Sequence, residues 1–353
     1  MSRFFAYNFL PVFDNNFLRR GLPNLVTLQN NLNHAINWLS GSGHRTSTVF
    51  GQASEISDQI VDFAAEVHRL GGCMQTVLEI LQKTTTYFEQ KGVPEARLQA
   101  QRLMGHVLEC GRLELYLQFE RPMTSEALDK LRPLVARRAK REPLQHILGD
   151  TDFLELTLKC DARALIPRPE TEELAELLTI HFAPPPPAVL DLGTGTGALA
   201  LGLASVWPDS TITAVDASPD ALLLAQENAA LNNLSGRVTF LESDWFLAVE
   251  GQRFDLIVSN PPYLTEEEMT TAAPEVTDFE PTRALVSGPD GLNDLRKIIA
   301  EAPGFLTSGG LLALETGIAQ HATLTTLAAE AGFRKSEAKR DISGRPRFFW
   351  AWL

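Results

Sequence analysis

Apolar residues change their spacing along this chain, from a helical rhythm in its middle to short uninterrupted runs near its end. From Met74, the residues Val77, Leu78, Leu81 and Phe88 share one helical face. Gly92-Val93-Pro94 reads as a helix stop with Pro in the first turn of a new helix, whose face carries Ala96, Ala100, Leu103, Met104, Val107 and Leu108. Leu128, Leu131, Leu134 and Val135 predict a third helix, kinked or restarted at Pro133. Residues 145–166 read as extended, with Phe153, Leu154, Leu156 and Leu158 before the turn-rich Ile166-Pro167-Arg168-Pro169. A helix is expected from Glu172 to about His181, then a stiff connector, Pro184 to Pro187. Beyond it, the runs Val189–Leu192, Thr211–Val215, Val238–Leu241, Leu256–Val258 and Leu311–Leu314 alternate with helical segments. That pattern predicts an α/β fold of parallel strands with crossover helices. Arg347 to Leu353 reads as an edge hairpin with the strand before it.

At 353 residues the chain is long for one core, so two folded units and an extra segment are expected. The boundaries read as a leader over 1–73, a helical domain over 74–145, a hairpin, helix and Pro linker over 146–187, and the strand-rich domain over 188–353. In the leader only Ser54–Leu70 has helical spacing (Ile56, Ile60, Phe63, Ala64, Val67), ahead of Gly71-Gly72. Its first fifty residues carry Arg3, Arg19, Arg20 and Arg45 against one acid, Asp14; a poorly ordered or mis-started leader is favoured over a targeting segment.

No run of apolar residues is long enough to span a bilayer. Cys73, Cys110 and Cys160 are too few and too scattered for a disulfide framework or a zinc site, which suits reduced thiols in the cytoplasm. His68, His106, His146, His181 and His321 lack metal-ligand spacing, so no metal is expected. The net charge of -13 is uneven: residues 161–353 hold 13 Lys and Arg against 27 Asp and Glu, while 74–160 hold 13 against 12. An acidic C-terminal part disfavours stable nucleic-acid binding, which depends on phosphate contacts. Arg132, Arg137, Arg138, Lys140 and Arg141 form a basic cluster, read first as a solvated helix face and second as a partner contact.

Four motifs carry candidate chemistry. Val189-Leu190-Asp191-Leu192 runs into Gly193-Thr194-Gly195-Thr196-Gly197, a strand leading into a glycine loop and an Ala/Leu-rich helix. Glycine is needed where a ligand lies against backbone. The Gly-x-Gly-x-Gly spacing differs from the dinucleotide loop, whose third glycine comes three positions after the second. Asp216 ends the next strand about twenty residues on, where an acid can accept both hydroxyls of a ribose, while Ser218-Pro219-Asp220 supplies a helix start. Asp244 and Trp245 follow the third strand, an acid and an aromatic suited to an adenine's amine and ring face. Asn260-Pro261-Pro262-Tyr263 follows the fourth strand. An amide nitrogen is a poor nucleophile because its lone pair is delocalised. The Asn260 side-chain oxygen and the Pro261 carbonyl can hold its two hydrogens, the prolines lock the turn, and Tyr263 can pack on the amide plane.

The chain resembles the release factor glutamine methyltransferases, the PrmC/HemK family, over roughly residues 74–353. Beyond the four motifs, the likeness rests on residues 142–149 (EPLQHILG) and 165–172 (LIPRPETE), and on Phe279-Glu280-Pro281 through Ala284-Leu285. Gly288 to Leu292 and Asp341 to Arg345 add to it. The resemblance implies a small helical domain that helps grip the substrate protein, then a class I, Rossmann-like methyltransferase domain with a mainly parallel seven-stranded sheet. It implies S-adenosylmethionine held by Gly193, Thr194, Gly195, Thr196, Gly197, Asp216, Asp244, Trp245 and Asn260. Substrate binding falls to Asn260, Pro261, Pro262 and Tyr263, with catalysis at Asn260, Pro261 and Tyr263. The implied reaction methylates N5 of the glutamine in the Gly-Gly-Gln loop of peptide chain release factors; a monomer is expected, although the residues do not decide the oligomeric state. The Asn-Pro-Pro-Tyr motif also serves adenine-N6 methyltransferases, so a nucleic-acid amine is the alternative substrate. A nicotinamide-dependent dehydrogenase is a second alternative, but it leaves Asn260 to Tyr263 unexplained.

Overall fold

Helix α1 (Val77–Gln90) starts in a reciprocal cap, in which Thr76 Oγ1 accepts from the Glu79 amide and the Glu79 carboxylate accepts from the Thr76 amide. The computed structural model describes residues 75–353, so the Ser54–Leu70 helix, Cys73 and the leader lie outside the described residues. Helix α1 buries Val77, Ile80, Leu81 and Phe88. Helix α2 (Ala96–Leu108) begins after Glu95, which is left-handed at φ 48°, so Pro94 lies outside the helix and not in its first turn. A short α3 (Arg112–Leu117) was not foreseen. Helix α4 (Ser125–Ala139), capped by Thr124, continues past Pro133 without a restart. Residues 145–166 are not all extended: α5 (Leu144–Leu148) packs Leu144 and Ile147 into the core of the other helices. Only then comes the antiparallel hairpin of β1 (Asp150–Phe153) and β2 (Leu156–Lys159).

Helix α6 (Pro169–His181) begins three residues earlier than its periodicity suggested, with Pro169 in the first turn. The alternating region follows as β3 (Ala188–Leu192), α7 (Ala198–Val206), β4 (Thr211–Asp216), α8 (Pro219–Leu231), β5 (Val238–Glu242) and β6 (Phe254–Ser259). Two short helices, α9 (Glu266–Thr271) and α10 (Pro274–Thr277), precede α11 (Asn293–Glu301), β7 (Leu306–Glu315), α12 (His321–Ala331), β8 (Lys335–Arg340) and β9 (Pro346–Trp352). The seven-stranded sheet has the order β5-β4-β3-β6-β7-β9-β8, parallel except for β9, which runs antiparallel to both neighbours. The expected hairpin exists, with β8 as the edge and β9 inside it.

Period-two alternation divides the strand residues between two cores. Val189, Leu256, Val258 and Trp350 face α6, α7 and the β1-β2 hairpin, whereas Leu190, Leu192, Ile257 and Phe349 face α11 and α12. These side chains are buried, and each stabilises the fold by about 1.5–3 kcal/mol relative to exposure. The basic cluster on α4 is largely consumed inside the molecule. Arg138, 1% exposed, and Arg141 both bind Glu275 of α10, with N–O distances of 2.6–2.7 Å, and Arg137 binds Glu142. Among the described residues, no helix is long and apolar enough to cross a membrane, and no group of His, Cys, Asp or Glu could hold a metal ion.

Candidate active site

Strand order reverses at β3, whose neighbours β4 and β6 lie on opposite sides, and in open parallel sheets ligands bind at the carboxyl ends of strands at such a point. A cavity of about 300 Å³ opens there. It is lined by Asp191 near the end of β3, Gly193 to Thr196 after it, Asp216 ending β4, Ser243 to Trp245 after β5, and Asn260 and Pro262 after β6. Residues from the ends of four strands thus meet around one space.

The glycines differ in role. Gly195 (φ 56°) borders open space, since an added Cβ would meet only Ala164 at 3.9 Å, and its amide donates to Asp216 Oδ2 at 2.9 Å. Gly197 is not among the lining residues. A Cβ there would meet Leu201 at 3.0 Å and Ala225 at 3.1 Å, so this glycine lets α7 pack against α8. Asp216 Oδ1 accepts from the Ser218 amide at 2.8 Å, and Ser218 Oγ accepts from the Ala221 amide, so Ser218 caps α8 while Asp216 faces the cavity. Burial raises the pKa of the Asp216 carboxyl, opposed by those amides and by Arg283. A carboxylate has about four acceptor positions; two are used here.

Trp245 is held in the left-handed region at φ 53°, its carbonyl accepting from Ser243 Oγ at 2.9 Å, and its ring lies over Gly193. Asp244 sits at the exposed rim, with one oxygen bound to Lys297 at 2.9 Å. Asp191 is fully buried. Its Oδ2 accepts from Thr194 Oγ1 and the Ala200 amide, whereas Oδ1 finds no hydrogen-bond partner among the described residues. Burial pushes its pKa up to about 7.

In the Asn-Pro-Pro-Tyr turn, Asn260 Nδ2 donates to Thr171 Oγ1 at 2.9 Å. Among the described residues, no protein group donates to Asn260 Oδ1 or to the Pro261 carbonyl. Pro261 is buried and Pro262 lines the cavity. Tyr263 is not among the lining residues: its hydroxyl donates to Glu315 Oε1 at 3.0 Å and accepts from Arg347 at 2.6 Å. Glu315, at the end of β7 and 0% exposed, also accepts from Thr171 Oγ1 at 2.7 Å and from Arg347 at 3.1 Å. Sequence alone assigned no role to Asp191, Glu315 or Arg347, and placed Thr171 only within Pro169 to Glu172, a helix start that the family resemblance puts at the border of the active site. Two signals were present: acids at the carboxyl ends of β3 and β7, where ligand sites of such sheets lie, and the Thr within residues 165–172.

Residues 79–149 match the family model for the PrmC N-terminal domain, and residues 170–279 match that for the methyltransferase small domain. A release factor glutamine methyltransferase of Geobacter sulfurreducens is 41% identical over 272 residues, covering 77% of this chain and 95% of that one. The chain belongs to the release factor glutamine methyltransferase family. Members of the same name from Deinococcus radiodurans (42% over 271 residues, 76% and 96% coverage) and Escherichia coli K12 (41% over 254 residues, 71% and 90%) also match it. As a member of this family, the chain is an S-adenosylmethionine-dependent methyltransferase with a Rossmann-like sheet, the fold class read from its sequence.

Proposed function

We propose that this protein methylates N5 of the glutamine in the Gly-Gly-Gln loop of peptide chain release factors, using the pocket formed by Asn260 to Tyr263. The observation that carries this reading is the pair of acceptors, Asn260 Oδ1 at the cavity and the adjoining Pro261 carbonyl, neither of which has a protein donor among the described residues. A primary amide presents two N–H groups, which match two acceptors.

The cavity suits the cofactor in shape and charge. Gly195 leaves room at the loop, Asp216 can accept from ribose hydroxyls, and the partnerless Asp191 oxygen favours a cation nearby. Trp245 offers a face to the adenine, and Asp244 has one free oxygen for its amine. When bound, S-adenosylmethionine supplies an electrophilic methyl group on a sulfonium. The protein's part is to aim the target nitrogen. As that nitrogen bonds to the methyl it loses amide conjugation and becomes positive, so its hydrogens bond more strongly to Asn260 and Pro261 in the transition state than before. No general base is required, because the proton leaves after the nitrogen has become cationic. Tyr263 stiffens one end of the pocket.

The acidic C-terminal part favours this substrate over nucleic acid. Release factors treated with the enzyme and labelled cofactor should gain one methylene on the Gly-Gly-Gln glutamine, read by mass spectrometry. Incorporation into total RNA or DNA, with none into release factors, would reverse the assignment.

A further inference from the structure

The Asn-Pro-Pro-Tyr turn is gripped at both ends by one carboxylate outside it. Glu315 Oε1 accepts from the Tyr263 hydroxyl at 3.0 Å, and Oε2 accepts from Thr171 Oγ1 at 2.7 Å, which in turn accepts from Asn260 Nδ2 at 2.9 Å. Arg347 sits against the same assembly, donating to Glu315 at 3.1 Å with its guanidinium 5.0 Å from the Tyr263 ring centre. Glu315 and Thr171 are buried, at 0% and 4% exposure.

We propose that Glu315 is a positioning residue that, through Thr171, sets which way round the Asn260 amide stands. The inference deepens the reading of Asn260 above and rests on it. A threonine hydroxyl has one hydrogen. An ionised carboxylate can only accept, so Thr171 must give that hydrogen to Glu315 and can only accept from its other neighbour. Asn260 must therefore turn Nδ2 toward Thr171, and Oδ1 is left facing the target amide. Reversing the donor order reverses the amide: a neutral group at position 315 that donates to Thr171 would free the hydroxyl hydrogen for Asn260 Oδ1. Nδ2 would then meet the target NH2, donor against donor. Burial raises the pKa of Glu315, opposed by the Thr171 hydroxyl, the Arg347 guanidinium and the Tyr263 hydroxyl, which together favour the ionised form that the arrangement needs.

Thr171→Val keeps the shape and removes the acceptor, so the productive amide orientation leaves Nδ2 unpaired. The expected loss is about 5- to 150-fold in kcat, with the cofactor dissociation constant within about threefold of wild type. Thr171→Ser should restore kcat to within about threefold. Glu315→Gln, which can donate to Thr171, should lower kcat at least as much as Thr171→Val, provided circular dichroism shows it folded. A structural role would act regardless of Asn260, so the deciding measurement is a double-mutant cycle. Thr171→Val in an Asn260→Ala background should cost nothing further in single-turnover rate. The proposal fails if Thr171→Val stays within about twofold of wild type while Asn260→Ala is nearly inactive, or if its loss persists undiminished in the double variant. A fully active Asn260→Ala protein would remove the reading of Asn260 itself, and the relay with it.

Discussion

Thr194 Oγ1 donates to Asp191 Oδ2 at 2.6 Å, deep beneath the glycine loop, and this pairing leaves the other Asp191 oxygen bare beside the cavity. Burial raises the pKa of this acid from 3.8 to about 7. For an acid raised in this way the protonated form favours folding, so its contribution to apoprotein stability declines as pH rises from 3.8 toward about 7. A cationic cofactor favours the ionised form and reverses the preference. Cofactor affinity should therefore rise about tenfold between about pH 6 and pH 8, with proton release on binding. Calorimetry in buffers of different ionisation enthalpy measures that release. Asp191→Asn should abolish this part of the dependence, leaving only the cofactor's own titration; an identical pH profile in the variant would refute it.

Asp216→Ala should weaken cofactor binding far more than it slows the reaction at saturation, because ribose hydrogen bonds are similar in ground and transition states. The expected loss is about 1.5–3 kcal/mol, or roughly 10- to 150-fold in dissociation constant. The variant also frees the Gly195 and Ser218 amides that Asp216 now holds. Titration followed by Trp245 fluorescence gives the constant, and an unchanged value would remove Asp216 from the cofactor site.

Asn260→Ala should cost about 100- to 1000-fold in turnover, the range for deleting one preorganised hydrogen bond to developing charge. Cofactor affinity and fold should largely survive, since among the described residues the side chain makes one protein hydrogen bond, to Thr171. A folded Asn260→Ala protein that methylates release factor within about threefold of wild type would contradict the mechanism.

These residues were legible because their chemistry is written locally. A glycine loop after a strand, an acid ending the next strand and Asn260 to Tyr263 after another each occupy a few adjacent positions. The support behind them was not legible. Thr171 and Glu315 are 144 residues apart, and Arg347 lies 84 residues beyond Tyr263, so only the pairing of β7 with β9 and the docking of α6 bring them together. Gly197 also has a packing role that its spacing did not announce, since an added Cβ would press on Leu201 and Ala225. In the helical region, α3 and α5 were missed because six and five residues are too few to show a period.

Glu275→Ala should leave the buried Arg138 short of its carboxylate. The loss should be about 2 kcal/mol, below the 3–5 kcal/mol typical of a broken buried pair, because Arg138 keeps Gln99 and the Glu142 carbonyl. Urea unfolding measures this. Hydrogen exchange should also quicken between Leu264 and Leu285, the stretch that links the Asn-Pro-Pro-Tyr turn to Pro281 and Arg283 at the cavity. Exchange confined to the wild-type rate there would show that Glu275 does not tether that stretch.

The position of β9 between β7 and β8 bears on how the molecule is made. β7 can pair with β6 as soon as it is made, but β8 joins the sheet through β9, so a ribosome delivers β8 before the strand that must lie between it and β7. The same strand carries Arg347, the counter-charge to Glu315. Without β9 the Asn-Pro-Pro-Tyr turn lacks that counter-charge beside it, so closing the sheet and seating Arg347 against Glu315 are one event.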